Sequence, residues 1–144
     1  MPERKIKYET LDHKADTGFL IKAPSLERLY IDSALALTDL LVKLERIQDI
    51  DKRQISIEAE NRESLMVRWL NEILYLFDQQ KYLCRRIVFD SFDGKKIKAT
   101  LWGETYNAPK HGSISEIKAV TYHQLEVAEG THPESHFYAR IFLT

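Results

Sequence analysis

The sequence predicts an α+β fold in two layers, a largely antiparallel sheet covered by two amphipathic helices. Three observations carry this. Two stretches in the first half place apolar residues at helical spacing. Segments of strand-like alternation gather mainly after them, which favours α+β over a doubly wound sheet. Between two of those segments stands Asp93-Gly94, the strongest short-range hairpin signal.

The elements follow in order. Lys5–Asp12 alternates loosely and reads as a lead-in strand, and Asp16–Lys22 as a second. Ser25 is a suitable N-cap because its hydroxyl can accept from an orphan first-turn amide. Leu26, Leu29, Tyr30, Ala34, Leu37 and Leu41 then recur with helical period, predicting a helix over 26–43. Ile55, Ile57 and Ala59 alternate with polar partners, so Lys52–Glu60 is a half-buried strand. Asn61 can cap a helix over Glu63–Gln79, whose apolar stripe is Met66, Trp69, Leu70, Ile73, Leu76 and Phe77. Arg86–Phe92 and Lys95–Trp102 flank Asp93-Gly94, where a type I′ turn would need positive φ at both central residues. A loop over Thr105–Gly112 leads to a long strand, Ser115–Val127, with Ile117, Ala119, Thr121, His123, Leu125 and Val127 on one face. Gly130–Glu134 turns into a last strand, Ser135–Leu143.

The length of 144 residues suits one domain, 1–144, with a core large enough to need no disulfide or structural metal. With 21 basic and 22 acidic residues the chain has no basic field, which argues against strong direct nucleic-acid binding. The lone Cys84 rules out a disulfide framework within the chain and reads as a buried small hydrophobe. MPERKIKYE is charged and no signal peptide, and no apolar run is long enough to span a membrane. A cytoplasmic setting is expected. Phosphate-loop, dinucleotide, nucleophile-elbow and C-x-x-C motifs are missing from the sequence, so familiar nucleotide-hydrolysis and acyl-transfer machinery is poorly supported.

The chemistry-bearing candidates are few. In HKAD, His13 and Asp16 stand three apart, with Asp12 beside them. Asp12 and Asp16 could share a strand face and offer two carboxylates to a hard cation. Spacing alone favours a polar turn instead. Glu104 ends a strand after Trp102-Gly103, where a sheet meets a loop; Gly103 would let a backbone or a ligand approach closely. Lys110-His111 follows in the loop, where the bland reading is a pair of solvated side chains. His123 falls among apolar neighbours and reads as a hydrogen-bonded core histidine.

Taken together these stretches are more specific. HKAD, SLERLYIDSALALTDL, VRWLNEILYLFD, WGE followed by His111, and IKAVTYHQLEV occur in an order that resembles the archease family, from about Tyr8 to Phe142. KAVTYH, Lys118–His123, is the most specific piece. The resemblance implies a small protein cofactor, with no catalysis of its own, for an RtcB-type GTP-dependent tRNA-splicing RNA ligase. Such a cofactor promotes guanylylation of the ligase histidine and multiple turnover. Nucleic acid would be met only through the ligase. The alternative is a chaperone or modulator of nucleic-acid-processing proteins. The resemblance also implies a calcium-type site built from the Asp of H-x-A-D, an Asp at the penultimate place and the terminal residue. The first falls on Asp16. The chain ends Ile141-Phe142-Leu143-Thr144, so Leu143 occupies the second place and Thr144 the third. Loss of one carboxylate should weaken cation binding, since hard cations depend on ligand charge. Glu104, His111 and Lys118 are the expected activator residues.

Overall fold

In the computed structural model the antiparallel strands form two sheets rather than one. It describes residues 6–13, 16–130 and 136–144, and for residues 12, 13 and 16 the backbone alone. The elements are β1 (Glu9–His13), β2 (Asp16–Ala23), α1 (Leu26–Leu41), β3 (Asp51–Glu58), α2 (Arg62–Gln80), β4 (Tyr82–Phe92), β5 (Lys96–Thr105), α3 (Ala108–His111), β6 (Val120–Glu129) and β7 (Phe137–Leu143). One sheet has the order β1-β2-β7-β6 and the other β3-β5-β4. Every pair is antiparallel. The α+β class is as expected.

Both long helices begin where the capping residues put them. Ser25 accepts from the Arg28 amide at 3.1 Å, and Asn61 from the Ser64 amide at 2.8 Å. The end of α2 carries no such signal. Lys81 closes it in the left-handed conformation, φ 55°, where glycine or asparagine is usual.

Helix α1 packs on β2, β7 and β4, and α2 on β6, β3 and β4, so the helices bridge the two sheets. Phe19, Ile21, Leu37, Met66, Leu70, Ile97, Leu101, Ala139 and Ile141 meet in one apolar core. Trp69 at its centre donates from Nε1 to the Tyr30 carbonyl at 2.7 Å and meets Phe89 edge-on. Side chains of α2 also occupy the open margins of both sheets. The Asn71 amide donates to the Val120 carbonyl and accepts from the Val120 N–H, and Arg68 donates to the Glu58 carbonyl. The helix thus satisfies single backbone groups at the end of β3 and at the start of β6.

Three local expectations change. The Asp93 amide donates to the Lys96 carbonyl, and positive φ falls on Gly94 alone, at 87°. The turn therefore puts glycine first of two central residues, and the Asp93 carboxylate accepts the Lys95 and Lys96 amides. The long strand begins at Val120 rather than Ser115. His123 is exposed rather than in the core, because a large irregularity in β6 breaks the alternation that had placed it inside. Cys84 is buried, as read, and burial pushes its thiol up to about 12, far from a reactive thiolate. No helix among the described residues is long and apolar enough to cross a membrane.

Candidate functional site

The expected site residues fall into two groups. The first lies where β5 runs into α3. Gly103 sits against the carbonyl of Leu83, which occupies the space a Cβ would need. The close approach is therefore by backbone, not ligand. Glu104 follows and is only 8% exposed. Its Oε2 accepts the Gln48 amide at 2.6 Å and lies 3.0 Å from Nε2 of His111, while Oε1 accepts the Lys110 ammonium at 2.7 Å.

His111 is buried at 1% exposure, against the solvated reading. The Asn107 N–H donates to Nδ1 at 2.8 Å. That nitrogen therefore carries no proton, and the ring donates from Nε2 to Glu104. Tyr106 stacks on the ring at 5.8 Å and ties its hydroxyl to the Gly112 carbonyl. Burial alone would push the Glu104 carboxyl up. Hydrogen bonds from Lys110, the Gln48 amide and His111 outweigh it and hold the group below the ordinary glutamate range. Every oxygen of Glu104 is engaged, so this cluster holds α3 and the chain around Gln48 to the end of β5.

The second group gathers at one end of the four-stranded sheet. Thr17 pairs with Leu143, and Leu143 with Val120. The Thr144 amide donates to the Ala119 carbonyl, and the Thr144 carbonyl accepts the Lys118 amide at 2.8 Å. Asp16, one residue before Thr17, is thereby brought to the same sheet end as Lys118 and Thr144. The Lys118 side chain is 76% exposed, and its ammonium stands 3.9 Å from Glu116. It is not part of the Glu104 network, whose ammonium is that of Lys110.

The side chains of His13 and Asp16 lie outside the described residues. A calcium-type ion takes six to eight oxygens. Leu143 is buried and offers no side-chain oxygen. Among the described residues no group of three His, Cys, Asp or Glu is placed to hold a metal.

Gln48 and Asn107 escaped the sequence reading. Asn107 had a signal, since asparagine three residues before Lys110 can cap a short turn, and its side chain does accept from that amide. Gln48 had none, because both its contributions are long-range: its backbone amide donates to Glu104 across 56 residues, and its side-chain oxygen accepts the Lys110 ammonium at 2.7 Å.

The architecture is a two-sheet α+β module, shared with the solution structure of Methanobacterium thermoautotrophicum protein 1598. The TM-score is 0.76 at 28% identity, covering 94% of this chain and 96% of that one. The crystal structure of a Thermotoga maritima archease, described as a possible chaperone, has the same fold at TM-score 0.57 and 19% identity, covering 99% and 98%. The chain belongs to the Archease protein family, whose model matches residues 8–142. It is 34% identical over 131 residues to Protein archease of Methanosarcina mazei, covering 88% of this chain and 90% of the relative. It is 31% identical over 129 residues to that of Pyrococcus abyssi, covering 84% and 87%.

Proposed function

We propose that this chain is a protein cofactor of an RtcB-type GTP-dependent RNA ligase, promoting guanylylation of the ligase and its multiple turnover in tRNA splicing. The supporting observation is the convergence at one sheet end of two family stretches far apart in sequence, the Asp16–Thr17 backbone and Lys118–Thr121, beside Leu143–Thr144. An exposed lysine held by its own backbone bond is suited to reach a phosphate or carboxylate on a partner. Lys118 is in this reading the group that acts outward. Glu104 and His111 act inward, as the brace that shapes the neighbouring loop.

The test is ligase guanylylation and product release with purified RtcB-type ligase, GTP and divalent metal, with and without this protein. Faster guanylylation and more than one turnover per ligase support the reading; unchanged values for both refute it. The description of the Thermotoga relative favours a second reading, a chaperone-like module. On that reading Lys118→Ala and Asp16→Ala leave partner binding and activity intact.

A further inference from the structure

Strand β6 is one of the two outer strands of its sheet, and it leaves register in a particular way. Thr121 pairs with Phe142 and Glu126 with Arg140, so five steps along β6 face two along β7. The surplus of three residues is thrown out as an excursion within 122–125. Gln124 stands in it at φ 49°, a left-handed conformation that a non-glycine side chain adopts at a cost.

The excursion is fixed at both ends. Asn71 holds both peptide groups of Val120 on the near side. On the far side Arg140 donates from Nε to the Gln124 carbonyl at 3.1 Å, and its guanidinium lies 3.9 Å from Glu126. His123 lies edge-on against Phe142 at 5.7 Å. Tyr122 is left 59% exposed. It is close in sequence to Lys118, and the paired residue Thr121 places it at the sheet end described above.

We propose that Tyr122, presented by this strained excursion, is the aromatic anchor through which the protein grips its ligase partner; this rests on the cofactor reading of the same sheet end. An aromatic side chain on a pre-organised backbone is the usual form of an interface anchor, because little freedom remains to be lost on binding. The charges around it favour a protein over a nucleic acid. The cations on this stretch stand beside acids, Lys118 with Glu116 and Arg140 with Glu126, and so make no positive field for a phosphate backbone. The strain has a use here: a regular strand would set Tyr122 at a paired position, whereas the excursion frees it from the ladder.

The experiment measures ligase binding by calorimetry and the half-maximal concentration for ligase activation. Tyr122→Ala is expected to weaken both at least about tenfold, with an unchanged thermal midpoint, while Tyr122→Phe stays within about threefold of the parent chain. Gln124→Gly, which accepts the left-handed backbone, keeps binding, and Gln124→Val, which resists it, weakens binding. Parent-like binding and activation by Tyr122→Ala overturns the inference while the cofactor reading stands. Binding of tRNA by the protein alone, lost in Tyr122→Ala, overturns it in favour of a nucleic-acid contact. No binding of the ligase by the parent chain overturns both.

Discussion

At the scale of single residues the most informative side chain is Glu104. It looked like a strand-end acid in water and is instead enclosed by Gln48, Lys110 and His111. Its carboxyl titrates below the ordinary glutamate range in the folded chain. The unfolded chain therefore takes up its proton first as pH falls. The stability Glu104 contributes is complete above the unfolded value and is lost as pH drops through the folded one. Glu104→Gln should lower unfolding free energy at neutral pH by about 1.5–3 kcal/mol, the worth of a hydrogen bond to a charged group. The gap to the parent chain should close from about pH 4.3 downward. Urea denaturation at several pH values checks this; a gap that widens in acid would show that the network is held by something else. Tyr122 and His123 teach the complementary lesson. Adjacent in one alternating stretch, they were assigned to opposite faces, and a local backbone irregularity made both exposed.

At the scale of elements, helix starts were legible from capping chemistry, whereas helix ends were read only from where the apolar period stops. Ser25 and Asn61 are capping residues by chemistry, and each accepts the amide three residues on. Lys81 is not an αL residue by chemistry, yet its amide donates to the Phe77 carbonyl and its carbonyl accepts the Tyr106 amide. Tertiary context holds it there. Lys81→Gly removes the Cβ penalty and should raise stability by about 1 kcal/mol, less the loss of the ammonium over the Phe77 ring. A thermal midpoint below that of the parent chain would contradict this. The hairpin at Asp93-Gly94 was found from its dipeptide, but which residue took positive φ depended on the Asp93 carboxylate capturing two amides. The strand expected from Ser115 starts five residues late. Before Val120 the backbone bonds instead to Leu41 and Thr144.

At the scale of the whole molecule, two sheets share one core through two helices, and Trp69 ties them. It is fully buried, bonds to α1 through the Tyr30 carbonyl and meets β4 through Phe89. Trp69→Ala should cost about 3–5 kcal/mol. It also leaves Trp102 on β5 as the single tryptophan, a reporter of the three-stranded sheet. Fluorescence and far-ultraviolet circular dichroism should then give the same denaturation midpoint. Separated midpoints would show the sheets unfolding as independent units.

The amino-acid order by itself determined the α+β class, the two helices with their caps, the hairpin and the family, because helical spacing, capping chemistry and ordered motifs are local or linear properties. Tertiary structure alone decided that the strands divide into two sheets, with α2 bonded to the end of β3 and to the start of β6. It decided that Glu104 and His111 face each other inside while Lys118 faces out. It also decided that Tyr122 leaves the ladder. Each of these depends on groups brought together from distant parts of the chain, and a pattern of period two or 3.6 carries no information about such meetings.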